Sequence, residues 1–166
     1  MAITGAQQPE IIQIDDDLRL RKYDGKFEFA LQWYQDEETV YLVDGVRKKY
    51  TFEDLTNMYE WLNEKGELYF IEVNEKDKFV PIGDVTFWQN DMPIVIGDQR
   101  FRGKGIGKKV INSIIHRAKG LGFKEIFVNE IYDWNIISQQ CFEKCGFICY
   151  DITDNGKRYK LKLAAD

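Results

Sequence analysis

The chain predicts a single α/β domain of mixed α+β type, with a central mixed sheet of six or seven strands and helices on both faces. Three observations carry this expectation. Along the chain, apolar residues switch between a period of two and a period near 3.6, so alternating stretches give way to helical stripes. At the centre, the apolar run Pro93-Ile94-Val95-Ile96 breaks at Gly97-Asp98. It then passes through Arg102-Gly103-Lys104-Gly105-Ile106-Gly107 into a helical stripe of Ile106, Val110, Ile114 and Ala118. The closing segment folds back across Asn155-Gly156, a strong hairpin signal. No repeat and no linker interrupts the chain, so residues 11–166 are expected as one domain behind a flexible leader of residues 1–10.

Taken in order, Ile11–Leu20 alternates around Ile12, Ile14, Leu18 and Leu20, a first strand interrupted by Asp15-Asp16-Asp17. The acidic triplet reads as a solvated turn rather than a metal site. Phe27, Ala30, Leu31 and Tyr34 have helical spacing, ended by Asp36-Glu37-Glu38. Thr39–Asp44 is expected as a short extended piece before the basic loop Arg47-Lys48-Lys49. Thr51 starts the next helix as N-cap, with Asp54 placed almost as in a capping box. Its stripe is Leu55, Met58, Tyr59 and Leu62, and Gly66 stops it. Leu68–Val73 and Val80–Trp88 alternate as strands around the polar turn Asn74–Lys78, and Asn90-Asp91 turns the chain into the Pro93 strand. Beyond the central helix come a strand over Lys124–Val128, a helix over Asn135–Lys144 ended by Gly146, and a hairpin of Phe147–Ile152 with Arg158–Leu163.

With 166 residues, 44% of them apolar, the chain can bury one large core and is not a disordered composition. A net charge of −5 argues against nucleic acid as a partner. An acidic protein with one basic helix face (Lys108, Lys109, Arg117, Lys119) suits an anionic cofactor and a cationic substrate. Met1–Glu10 lacks the basic and apolar regions of a signal peptide, and no apolar run reaches membrane-spanning length, so a cytoplasmic protein away from membranes is expected. The three cysteines, Cys141, Cys145 and Cys149, lie far in sequence from the single histidine, His116. They read as reduced thiols, with no metal site.

The glycine-rich turn before the central helix frees backbone amides at a helix N-terminus, which is an anion site needing no side chain. A nucleotide-binding P-loop requires a hydroxyl after its Gly-Lys, and here Gly103-Lys104 is followed by Gly105. A dinucleotide fingerprint requires glycine or alanine three residues past Gly105, where Lys108 stands. The pattern Arg102-x-x-Gly105-x-Gly107 instead resembles the pyrophosphate loop of the GNAT superfamily of N-acetyltransferases. A second motif agrees with it. Asn135, Ser138, Phe142, Lys144, Gly146 and Phe147 fall on a pattern similar to the GNAT helix N-x-x-[AS]-x-x-x-[YF]-x-K-x-G-F, one strand downstream. The chain is most similar in flavour to ribosomal-protein N-terminal acetyltransferases and aminoglycoside 6′-N-acetyltransferases.

The resemblance implies an acetyl-coenzyme A-dependent transfer to a primary amine, direct and in a ternary complex. Ile94, Val95, Ile96 and Gly97 would splay from the next strand and offer backbone groups to the pantetheine arm and acetyl carbonyl. Arg102, Gly103, Lys104, Gly105, Ile106, Gly107 and Lys108 would hold the pyrophosphate. Asn135 would hydrogen-bond the pantetheine, although it equally suits a helix N-cap, and Lys144 would reach toward the adenosine. Many members place tyrosine at the position of Phe142 as general acid; phenylalanine cannot serve, leaving Ser138 or a water. A base must free the amine, and Glu130 is the expected carboxylate, partly buried beside Ile126 and Val128, with Asp84 and Asp98 as rivals. The acceptor is an unidentified amine, a small molecule or a peptide, and the protein a monomer or homodimer. The competing reading, motivated by Phe142, is a non-catalytic acyl-coenzyme A-binding regulatory module.

Overall fold

The aspartates of the acidic triplet turn the first strand back on itself, giving β1 (Ile11–Asp15) and β2 (Leu18–Lys22) as a hairpin rather than one interrupted strand. This computed structural model describes residue 3 and residues 5–164. A single 3-10 turn leads into a short α1 (Leu31–Tyr34), then α2 (Glu37–Asp44) and α3 (Phe52–Lys65). The stretch expected to be extended, Thr39–Asp44, is therefore helical. Glu37 and Glu38 stand in its first turn, where carboxylates suit the helix dipole, and Gly45 closes it in a left-handed conformation at φ 77°. These end signals outweigh the β-branched Thr39, Val40 and Val43. At α3 the capping box is complete, with Thr51 and Asp54 each accepting the other's backbone amide.

The strands β3 (Glu67–Glu75), β4 (Lys78–Phe87) and β5 (Ile94–Ile96) extend the hairpin into a five-stranded antiparallel sheet of order β1-β2-β3-β4-β5. Then follow α4 (Ile106–Gly120), β6 (Glu125–Tyr132), α5 (Ile136–Lys144), β7 (Ile148–Ile152) and β8 (Gly156–Lys162). The last three strands form a separate antiparallel sheet of order β6-β8-β7. The mixed α/β class holds, but one sheet of six or seven strands becomes two sheets holding eight. The extra strand comes from the acidic turn. The second sheet arises because β5 and β6 do not pair.

Helices cover both faces of the larger sheet, each with its own core. On one face Leu20, Ile71, Ile82 and Phe87 pack with Val110, Ile111 and Ile114 of α4 and with Ile126, Phe142 and Tyr159 of the smaller sheet and α5. On the other, Leu68, Phe70 and Val95 pack with Trp33, Tyr34, Leu55, Tyr59 and Leu62. Strand alternation sends successive residues of β3 to opposite cores, which explains its unbroken run of buried positions.

The leader expected to be loose is tethered where it is described. Gln8 is buried, its side-chain amide donating to the Leu68 carbonyl at 2.9 Å, and Arg117 donates to the Gln7 carbonyl. Met1, Ala2 and Thr4 of that leader, and Ala165 and Asp166 at the other end, lie outside the described residues. No helix among the described residues is long and apolar enough to cross a membrane.

The start of β3 carries Glu67, which is 0% exposed. Arg117 of α4 clasps it with two hydrogen bonds, Nε to Oε1 at 3.0 Å and Nη2 to Oε2 at 2.7 Å, and the Tyr69 hydroxyl donates to Oε1. A bidentate pair satisfies a buried carboxylate, but removing one partner strands a charge. Arg117→Leu is expected to destabilise the fold by about 3–5 kcal/mol, read as a lowered urea midpoint with unchanged slope.

Candidate functional site

The parting of β5 and β6 makes the site. The two strands are linked at one end only, through the turn after β4. There Phe127 donates its amide to the Gln89 carbonyl at 2.9 Å, and Asn129 donates its amide to the Asp91 carboxylate at 3.1 Å. Beyond Asn129 they diverge. Between them opens a cavity of about 340 Å³, walled by Ile94 and Val95 of β5, Val128, Glu130 and Ile131 of β6, and Asn135, Ser138 and Phe142 at α5. Tyr34, Asp44, Tyr50, Met58 and Trp61 close it from the helical side, and Asp84 lies on its wall. A second recess of about 480 Å³ shares Asp44, Tyr50, Met58 and Trp61 and continues past Lys48 and Asp54 to the surface.

At the far end of α5 lies the glycine-rich turn. Gly103 and Gly105 hold φ of 72° and 78°, and no protein atom stands within 4 Å of the side chain either would carry. The space there is open, so glycine answers to backbone conformation rather than to packing. Gly105 caps α4 without a side-chain bond, and the first amide bonded back into the helix is that of Lys109, on the Gly105 carbonyl. The amides of Ile106, Gly107 and Lys108 are thus free of intrahelical acceptors. Lys104 and Lys108 are exposed beside them, as is Lys144 at the end of α5. The α5 helix runs directly from cavity to turn. Its start lines the cavity, Cys141 packs 3.6 Å from a side-chain position at Gly107, and the Cys145 thiol lies 3.7 Å from the Lys108 carbonyl.

Several residues expected to touch a ligand make hydrogen bonds within the protein. Arg102 is turned to the protein through two of its nitrogens. Its Nε donates to the Ile96 carbonyl at 2.8 Å and its Nη2 to Thr39 Oγ1 at 2.9 Å, tying β5 to α2. That bond also occupies the Ile96 carbonyl. Gly97 donates its amide to the Ile82 carbonyl, and its missing side chain makes room for Trp33, whose Cγ would lie 2.2 Å from a Cβ. The outer edge of β5 pairs with no strand among the described residues; the backbone groups of Ile94 face it, those of Val95 turn inward to Asp84 of β4, and both residues line the cavity. Asn135 is the N-cap of α5, accepting from the Ser138 amide at 3.3 Å, while its Nδ2 donates to the Leu42 carbonyl of α2 at 3.4 Å. Ser138 and Phe142 both line the cavity, with Phe142 buried edge-on against Phe147.

The carboxylates differ from expectation in burial: Asp84, not Glu130, is the enclosed one. Glu130 lies on the cavity wall but is exposed, not partly buried: a bulge between Val128 and Ile131 throws it outward, and it accepts from the Thr153 hydroxyl. Asp98 caps a 3-10 turn and pairs with Arg100, whose hydrogen bond holds its carboxyl below the usual range; it does not line the cavity. Asp84 is 2% exposed, in mid-β4 between Phe70 and Val95. The hydroxyls of Tyr34 and Tyr59 donate to its Oδ2 at 2.7 and 2.8 Å, and no donor among the described residues reaches Oδ1. Loss of hydration pushes its pKa up to about 6, against the lowering influence of both phenols. Asp91 is raised by burial in the same wall.

A charged residue in a strand otherwise buried on both faces was the signal for Asp84. Nothing local marked Tyr34 and Tyr59 as its partners, since both fit apolar helical stripes. Burial also raises the thiols of Cys141 and Cys145, against nucleophilic use.

The sequence model of the acetyltransferase (GNAT) family matches residues 27–147. A glucosamine 6-phosphate N-acetyltransferase of Arabidopsis thaliana is 36% identical over 52 residues, a match spanning 31% of this chain and 32% of that relative. Two solved structures superpose at greater length. One is the ribosomal L7/L12 alpha-N-protein acetyltransferase RimL with coenzyme A, at a TM-score of 0.75 and 16% identity over 95% of this chain and 100% of that one. The other is the aminoglycoside acetyltransferase AAC(6′)-Ib with coenzyme A, at 0.72 and 16% identity over 87% and 94%.

The contact with Trp33 makes Gly97 a packing position. Gly97→Ala is expected to cost about 1–3 kcal/mol of stability by overpacking, measured by urea unfolding without any ligand; a purely ligand-facing glycine would leave the midpoint in place.

Proposed function

This chain belongs to the acetyltransferase (GNAT) family, and on that premise we propose that it transfers the acetyl group of acetyl-coenzyme A directly to a primary amine. The observation that carries the reading is one continuous path, from a turn of unpartnered amides, along α5 and the free edge of β5, to a cavity walled by a buried carboxylate. The turn from Gly103 to Lys108 binds the pyrophosphate through backbone amides, with Lys104 and Lys108 adding charge. Arg102 acts by holding β5 against α2. Ile94, whose backbone groups face the open edge, hydrogen-bonds the pantetheine arm, Val95 packs beside it at the cavity, Asn135 shapes the start of α5, and Lys144 faces the nucleotide end.

The acceptor enters from the helical side. Asp44, Asp84, Asp91 and Glu130 line the cavity and, among the described residues, no lysine, arginine or histidine does, which favours a cationic amine. Such an amine arrives protonated, and Asp84 takes the proton on its free Oδ1. The nitrogen lone pair then attacks the acetyl carbonyl carbon, and the tetrahedral intermediate collapses with cleavage of the carbon–sulfur bond as its protonated nitrogen gives its extra proton to the departing sulfur. The electron pair leaves on sulfur. Phe142 has no proton to offer, and we assign to the Ser138 hydroxyl a hydrogen bond to the departing thiolate. Glu130, at the more exposed wall, attracts the acceptor rather than deprotonating it. RimL and AAC(6′)-Ib, named for a protein amine and an aminoglycoside, support an amine acceptor as a class.

Asp84→Asn keeps an acceptor for both phenols and removes the base. Turnover should fall about 10²–10⁴-fold with acetyl-coenzyme A affinity unchanged, whereas Glu130→Gln should alter mainly KM. A parent-like rate in Asp84→Asn across an amine panel would remove the assignment. In the parent, kcat/KM should fall below pH about 6, where Asp84 is protonated. The same raised pKa has a stability consequence. The native state binds more protons than the unfolded chain between pH about 4 and 6, so stability falls as pH rises through that window by up to about 3 kcal/mol. Asp84→Asn should therefore be no less stable than the parent at pH 7, by thermal unfolding.

At the turn, Gly105→Val places a side chain where the phosphates would approach. Losing two hydrogen bonds to a charged group, at about 1.5–3 kcal/mol each, should weaken acetyl-coenzyme A binding well over tenfold by calorimetry. Unchanged affinity in the folded variant would exclude this turn as the pyrophosphate site.

A further inference from the structure

Tyr34 and Tyr59 are both fully buried, and both direct their hydroxyls at the same atom. Tyr34 belongs to α1 and Tyr59 to α3, while Asp84 is on β4, so no local geometry forces the three together. We infer that Tyr34 and Tyr59 are positioning residues that lock Oδ2 of Asp84, turn Oδ1 toward the acceptor amine and set the lower pH limit of the enzyme's working range. The inference rests on the reading of Asp84 as the proton acceptor.

The groups facing Asp84 explain why phenols do this. From α1 comes Tyr34, from α3 Tyr59, and from the adjacent strands only the apolar Phe70 and Val95. Tyr50, ahead of α3, faces Tyr34, but its hydroxyl is held by Asp44. The other ionisable groups on the cavity wall are Asp44, Asp91 and Glu130, which disfavour a further negative charge. Among the described residues no cation lines the cavity to hold Asp84 ionised. A carboxylate in such surroundings without donors would stay protonated and could not accept a proton near neutrality. A lysine or arginine would supply the donor but would repel an incoming ammonium. A phenol donates without adding charge. Burial first, and the negative charge of Asp84 second, push both phenols well above their ordinary range, so they remain donors throughout the range in which the amine reacts.

The test compares Tyr34→Phe, Tyr59→Phe and Asp84→Asn with the parent, using kcat/KM against pH. The acid limb, expected at about 6 in the parent, should move up by about one to two pH units in each phenylalanine variant. Turnover lost at pH 7 should return as the pH is raised, which a merely damaged structure would not do. Should either variant unfold, 3-fluorotyrosine incorporated at the same position keeps the ring and makes a stronger donor, moving the limb the opposite way. A second readout is independent of activity: the titration of the Asp84 carboxyl carbon by NMR in the unliganded protein, which should shift as the limb does. A limb and a titration that stay at the parent pH in the tyrosine variants overturn the inference. An acid limb that persists in Asp84→Asn instead overturns the choice of base, with the NMR titration still reporting on the phenols.

Discussion

Everything distinctive about this molecule follows from two strands that fail to pair. Had β5 and β6 zipped together, their backbone groups would be spent on each other and the sheet would be continuous. Instead they are pinned at the Gln89–Asp91 turn and part beyond Asn129. Two open strand edges carry a cost in unsatisfied hydrogen bonds, and the chain contains that cost by bracing the gap from outside. Arg102 ties β5 to Thr39, while the last carbonyls of α2 accept from Tyr132 at the end of β6 and from Trp134 and Asn135 just after it. The α2 helix thus bridges the two sides of the opening.

The charge distribution follows the same geometry. Lys104, Lys108 and Lys144 lie exposed around the end of α5 beside the open amides, and the carboxylates Asp44, Asp84, Asp91 and Glu130 gather at its beginning. A single helix therefore separates a region suited to anions from one suited to cations, within a protein of net charge −5. The proposed transfer between a phosphorylated donor and a cationic acceptor would draw on such a division, because each would be repelled by the other's surroundings. Asp84 adds a second requirement. On the proposed reading as base, it must be dry enough to hold a proton yet hydrogen-bonded enough to release one, and the two buried phenols that donate to it suit that balance.

Much of this was legible in the residues themselves. The period-3.6 stripe of α4, the Thr51–Asp54 cap, the Asn155-Gly156 hairpin and the glycines before α4 each encode a local geometry through short-range sterics and hydrogen bonds, and each formed as expected. The family pattern from Arg102 to Phe147 likewise lies in local spacing. Even the helix of α2 had its signals in Glu37, Glu38 and Gly45, masked by three β-branched residues among six.

What tertiary structure alone decided is which groups meet across long sequence distances. Asp84 stands 50 residues from Tyr34 and 25 from Tyr59, and no periodicity predicts that their polar atoms converge. Arg102, placed by its spacing in the phosphate-loop pattern, is held by Thr39 and the Ile96 carbonyl, partners that no spacing announces. Glu130 looks like the buried carboxylate until a bulge turns it out to Thr153. In each case the sequence by itself determined the chemical group and its local backbone. Its burial and partners, which govern whether a carboxylate is a base or a solvated charge, depended on how two sheets closed around the gap between them.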